Sequence, residues 1–267
     1  MRSIAFMSFL FAVTLMTSCF HDDDDSSSPY VEPPPVVEDQ SAAGIYWSIA
    51  SNFVSEAVDH PVQTPVDAII TSAGEARFMF FGSTDTPLMD TQLVGNVNVA
   101  ADKITASLKE YSDGNAQTST VELDGTIATK DGAWGSYTWE QDFGRFVLNY
   151  ISTYEEPSEL SKLEGIWTFS QASSSGLTFT LTLTIDPDGT VFGSTTDGCV
   201  FNGKFNIIDS QYNVYHLFLE TSLCGDLDGS YEGLATLDEP LTQRRLMFGI
   251  TNEDHSLSGM VYSPLQP

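Results

Sequence analysis

Positive charge is what this sequence has least of. Ten Lys and Arg stand against 37 Asp and Glu, which leaves a net charge of −27 on 267 residues. A field of that sign disfavours nucleic acid and anionic lipid as partners; it suits solubility, cationic partners or a salty surrounding that screens self-repulsion. Histidine is also scarce: His21, His60, His216 and His255 are the whole set. His216 shares a strand face with Val214 and Phe218, the setting of a structural histidine, and His255 sits in a turn. The chain lacks G-x-S-x-G, H-E-x-x-H, a P-loop and C-x-x-C, so no nucleophile–base pair or cofactor can be named. Long apolar runs are missing too. The one run, Ile4 to Met16, falls short of the about 20 residues that span a bilayer. Helical stripes are absent except over Ser51 to Val58, one or two turns at most.

What is present is period-two alternation. In L-T-F-T-L-T-L-T-I, Leu177, Phe179, Leu181, Leu183 and Ile185 alternate with threonine, the mark of a half-buried strand. Val214–Leu219 and Arg145–Ile151 behave alike. Breaks carry D-P-D-G, T-D-G, N-G and L-D-G, the chemistry of hairpin turns. Some eight short strands fit between Gly165 and Tyr262.

The pattern is written twice. Gly44-Ile45-Tyr46-Trp47 echoes Gly165-Ile166-Trp167, and Ile69–Ser83 echoes Thr184–Ser194. Val94–Val99 parallels Asn202–Ile207, and Leu123–Thr126 parallels Leu227–Ser230. Four pairs in one order point to duplication. The expected fold is all-β: two tandem antiparallel up-and-down barrels of about eight strands, at 44–153 and 163–267, joined by the acidic linker 154–162. Closure removes the edge strands that invite aggregation.

Of three cysteines, Cys199 and Cys224 lie beside turns in the second half. A disulfide between them would close a loop of about 25 residues, worth ~3.5 kcal/mol in the chain-entropy model. The alternative is a pair of metal-binding thiols, against which no further ligand stands nearby.

The third, Cys19, follows Met1, Arg2, the apolar run and the small residues Thr17 and Ser18. This resembles the lipobox of bacterial lipoproteins. The resemblance implies a cleaved signal peptide at 1–18, acyl chains on Cys19 including palmitate, and the membrane as a partner through those chains. An ordinary secretory signal with an incidental cysteine is the alternative. Residues 19–43 are rich in Asp, Ser and Pro and read as a disordered tether with a coil span of ~27 Å. Phe20 is not the aspartate that retains enterobacterial lipoproteins at the inner membrane, so the resemblance points to the outer membrane. Asp22–Asp25 resembles an acidic export tag, or is plain spacer; periplasmic face and cell surface both stay open.

The opening Gly165-Ile166-Trp167, followed by a long strand and D-G-T-V-F-G-S, resembles the lipocalin and avidin superfamily. The resemblance gives Trp167 the role of packing across one barrel end, with Trp47 or Tyr46 doing so in the first half. The arginine that lipocalins stack on that Trp has no counterpart after Leu257. Two-barrel surface lipoproteins that bind host proteins, such as transferrin-binding and factor-H-binding types, share the outline at the level of architecture.

Candidate sites are few. Asp186, Asp188, Asp226 and Asp228 begin a calcium-loop spacing but lack its closing Glu, so turn chemistry explains them. In W-G-S-Y-T-W, Trp134 faces away from Tyr137 and Trp139 if Gly135 does not bulge. The group reads as barrel core or, alternatively, as core on one face and a wet aromatic platform on the other, a ligand or partner surface for sugar or peptide. The expected function is a non-catalytic binding or scaffold module of the cell envelope, without cofactor and without nucleic acid, whose partner is an envelope or host protein. Alternatives are a small-molecule carrier using a barrel cavity and, behind it, an envelope hydrolase.

Overall fold

The structure, a computed structural model, describes residues 40–56, 62–81, 89–112, 115–172, 178–239 and 243–264. The signal, Cys19, the Asp22–Asp25 run, nearly all of the tether, His60 and Leu177 lie outside the described residues. Among the described residues no helix is long and apolar enough to cross a membrane.

The first half holds β1 (Gly44–Tyr46), β2 (Asn52–Ser55), β3 (Val62–Ile70), β4 (Glu75–Phe81), β5 (Met89–Ala100), β6 (Lys103–Ser112), β7 (Asn115–Ala128), β8 (Gly132–Trp139) and β9 (Asp142–Ile151). Neighbours from β3 to β9 pair antiparallel in chain order, and β1 and β2 each pair with both β3 and β9. The two short strands therefore share one stave and close an eight-stave barrel. The second half is a closed barrel of β10 (Gly165–Ala172), β11 (Thr178–Ile185), β12 (Thr190–Thr195), β13 (Val200–Ile207), β14 (Tyr215–Ser222), β15 (Gly229–Asp238), β16 (Gln243–Thr251) and β17 (Ser256–Pro264). Between them, Ser152–Glu155 and Leu160–Lys162 form short 3-10 turns.

Of the expected Ser51–Val58 stripe, the described residues 51–56 are not helical. Asn52–Ser55 is β2, and Phe53 points into the barrel against Phe78, Phe80, Tyr137 and Phe146, with ring centroids 5.0–6.4 Å away. Burying a ring outweighs the weak helical bias of one turn.

The two halves match at several positions. Gly44 pairs with Ile70 and Gly165 with Ile185, the last residues of β3 and β11. Two positions on stand Tyr46 and Trp167, both fully buried. Each donates to a carbonyl four residues upstream, the Tyr46 hydroxyl to Ala42 and the Trp167 indole N–H to Leu163, at 2.8 Å in both cases. Tyr46 rather than Trp47 is thus the counterpart of Trp167. The β3–β4 and β11–β12 turns match as closely. Gly74 and Gly189 both have φ +85°, and their carbonyls accept from Val97 and Phe205 at 2.8 Å. The Leu123 and Leu227 pair is out of register: Leu123-Asp124-Gly125 lies within β7, whereas Leu227 ends a 3-10 turn and Gly229 opens β15.

Each barrel encloses its own apolar core. A third cluster lies between them, with Ile45, Trp47, Ile69 and Met79 from the first half and Leu234, Met247 and Met260 from the second. These side chains stand on the outward face of their strands, where a single barrel would meet water. Polar bonds reinforce this seam. Arg77 donates to Thr251 Oγ1 at 2.9 Å, Tyr111 to the Asn252 carbonyl at 2.8 Å and Ala116 N–H to the Asp254 carbonyl at 2.7 Å.

Candidate binding surface

β7 and β8 pair without interruption from Val121–Trp139 to Ala128–Gly132, so Gly135 does not bulge. A Cβ on Gly135 would stand 2.2 Å from the Asp124 carbonyl oxygen, and one on Gly125 would stand 3.0 Å from the Phe146 ring. The two glycines face each other and leave the barrel interior to Phe146. Strict alternation then sends Trp134 outward and Tyr137 and Trp139 inward. Trp134 is 46% exposed and Tyr137 4%. The three aromatic residues do not form one site.

Tyr137 donates to Asp142 Oδ2 at 3.1 Å, and burial followed by the Asp142 charge pushes its phenol up to about 12. Trp139 packs on the core and donates to Glu110 Oε2 at 2.9 Å. Outside, Trp134 lies directly opposite Val147, and Phe143 opposite Thr138. Val147 is 39% exposed and Phe143 51%. Sequence reading missed both, although R-F-V-L-N-Y-I carries Val147 at a position that alternation assigns to solvent and Phe143 stands two places before that run on the same face.

Beside this apolar strip, the outer wall of β5–β8 holds a groove of about 380 Å³, lined by Asn98, Ser107, Glu122, Asp124, Ser136 and Thr138 among others. Asp124 pairs with Lys103 at 2.9 Å, and Glu122 accepts from Ser107 at 2.7 Å. Hydroxyl, amide and carboxylate groups on the groove wall thus adjoin an exposed indole.

A second hollow lies inside the second barrel. It measures about 110 Å³ and is walled by Phe169, Leu181, Phe201, Leu219, Phe248 and Leu257. The opposite end of that barrel is closed by Trp167. Arg244 supplies the stacking arginine that the chain after Leu257 lacks: its guanidinium lies 4.7 Å over the Trp167 ring and donates to the Glu164 carbonyl at 3.2 Å.

The remaining candidates are distributed. Cys199 and Cys224 form a disulfide with Cα atoms 4.5 Å apart, tying the β12–β13 turn to the β14–β15 turn. Asp188 pairs with Lys204 at 2.9 Å and accepts from Thr190 N–H at 3.0 Å, and those bonds hold its carboxyl well below the usual range. Asp228 accepts from Cys224 N–H at 2.6 Å. Asp186 and Asp226 are exposed in their turns. His216 stands outward on β14, 3.9 Å from Glu232. Among the described residues no three His, Cys, Asp or Glu side chains gather as metal ligands would.

No protein-family model matches the chain, and no curated protein matches it. Among solved structures, the isotype 1 transferrin binding protein B from serogroup B Neisseria meningitidis is similar, with 7% sequence identity and a TM-score of 0.24. The match covers 79% of this chain and 60% of that one, so the chain spans about three fifths of that neighbour's length.

Proposed function

We propose that the chain is a non-catalytic binding module of the bacterial cell envelope, held at the outer membrane by acyl chains on Cys19. It engages an envelope or host protein through the outer face of its first barrel. One observation carries this reading: Trp134 and Val147, directly opposite on β8 and β9, stay exposed together next to the groove, and Phe143 is exposed on the same face beyond Arg145. Large apolar side chains gathered on a soluble surface mark interaction sites, and Trp is among the residues that dominate binding energy. The strands beneath them are closed and filled, so the face is rigid before a partner arrives, which lowers the cost of association. The anchor is part of the proposal because two or more acyl chains hold firmly at ~0.8 kcal/mol per buried CH₂.

A photoreactive residue at position 134, in cells carrying the full chain, tests the reading. It should yield one discrete protein adduct, and replacing Phe143 and Val147 with Ser should abolish it. An adduct formed equally from position 192, on the outer face of the second barrel, would contradict it.

The hollow in the second barrel favours a second reading, a carrier of a small apolar molecule. Its apolar walls resemble those of cavities of about 150 Å³ that accept benzene. Its volume, about 110 Å³, lies below the ~300 Å³ at which pockets for larger ligands begin. A carrier role is therefore confined to ligands of a few carbon atoms.

A further inference from the structure

Asp67 is fully buried, and no other Asp or Glu among the described residues is buried to that degree. It lies on β3 between Val66 and Ala68, which point into the first barrel, so its own side chain points out to the seam. The Ser48 N–H donates to Oδ1, while Oδ2 has no hydrogen-bond partner. A buried carboxylate in such surroundings is costly unless it is paired. The cation that faces it is Arg245 on β16, and that guanidinium is committed elsewhere. It bonds Asp238 on β15 and lies 5.4 Å over the Trp47 ring, and its Nε is buried without a partner. The neighbouring strand β4 brings uncharged Met79 opposite Asp67, and the β1–β2 turn brings Trp47 and Ser48. Burial raises the Asp67 carboxyl to about 6, against the opposing pull of the Ser48 bonds and Arg245.

We propose that Asp67 is a proton-operated latch on the seam between the two barrels. The protonated carboxyl holds the barrels closed on one another, and the carboxylate favours their separation. The inference does not depend on the partner face of the first barrel.

The sign follows from linkage. Opening the seam returns water to Asp67 and restores its ordinary value of 3.8, so closing takes up a proton. The proton's contribution is complete below the ordinary value and is lost as pH rises through about 6. Seam closure should therefore weaken about ten-fold between pH 5 and pH 7.5 and change little above that.

Met79 and Met247 report on the seam, since both are fully buried there. Their peroxide oxidation rates in the full-length protein, read by mass spectrometry, follow the open population. The latch predicts rates about ten-fold faster at pH 7.5 than at pH 5. In Asp67→Asn the rates should be the same at both pH values. Amides of Leu123 and Leu217, inside the barrels, should show no matching change in exchange once corrected for intrinsic rate. A flat methionine profile, an unchanged profile in Asp67→Asn, or an equal ten-fold change at the interior amides would overturn the proposal. Carbon-detected titration of the wild-type Asp67 carboxyl stands apart from any folding defect in the variant. A midpoint near 6 supports the latch, and one below about 4.5 overturns it.

Discussion

Arg244 and Arg245 are neighbours on β16, yet their guanidinium groups lie over tryptophans of different barrels. Arg244 sits 4.7 Å from the Trp167 ring centre, and Arg245 sits 5.4 Å from that of Trp47. Successive strand residues point to opposite faces, so one arginine closes its own barrel and the next reaches across the seam. Replacing Arg244 with Ala removes a cation–π contact worth about 0.5–2 kcal/mol and strips a donor from the Glu164 carbonyl, which adds about 1–3 kcal/mol. Urea unfolding should show a loss of about 2–4 kcal/mol, and Trp167 fluorescence should shift toward that of a hydrated indole. A variant as stable as the parent would refute the closing role.

The matching turns give a paired test of the duplication. Gly74 and Gly189 share a φ of +85°, which an L side chain adopts at a cost of roughly 1–2 kcal/mol. A Cβ would also meet the carbonyl oxygen of Val97 at 2.5 Å in one turn and that of Phe205 at 2.7 Å in the other. Gly74→Ala and Gly189→Ala should each destabilise by at least about 1 kcal/mol, and by similar amounts. Neutral effects at either turn would count against the equivalence.

The disulfide should contribute in proportion to its loop. Cys199 and Cys224 are 25 positions apart, and closing such a loop is worth ~3.5 kcal/mol in the chain-entropy model. Reduced protein should unfold at lower urea, with an unfolding free energy smaller by about that amount, and the first barrel unaffected when followed through Tyr137 and Trp139. Equal midpoints for the oxidised and reduced forms would contradict this.

The anchor has its own assay. Cys19→Ser should eliminate labelling by a fatty-acid analogue and release the chain from membranes. Persistent labelling would show that acylation lies elsewhere.

Alternation made the barrels legible because their interiors are filled. Leu183, Ile185, Leu217 and Leu219 are buried on the side that period two assigns them. The same rule hid the seam. In V-D-A-I-I, Asp67 and Ile69 occupy positions that a lone barrel would show to water, and nothing local says that a second barrel covers them. Trp47 reads as a core residue for the same reason, yet it follows inward-facing Tyr46 and stands with Ile45 on the seam side, under Arg245. Sequence order places the arginine over Trp167 after Leu257; in the closed sheet Arg244 supplies it from one strand earlier. For Trp134, alternation predicts the outward direction, but its neighbour Val147 comes from the pairing of β8 with β9.

The partner face is tested most directly by equilibrium affinity. With the protein captured from position 134 purified, its Kd for the full-length chain should rise at least about 30-fold in Trp134→Ala, the mark of a hot spot worth 2 kcal/mol or more. Phe192→Ala, on the far barrel, should leave Kd unchanged. Indistinguishable Kd values for wild type and Trp134→Ala would contradict the account.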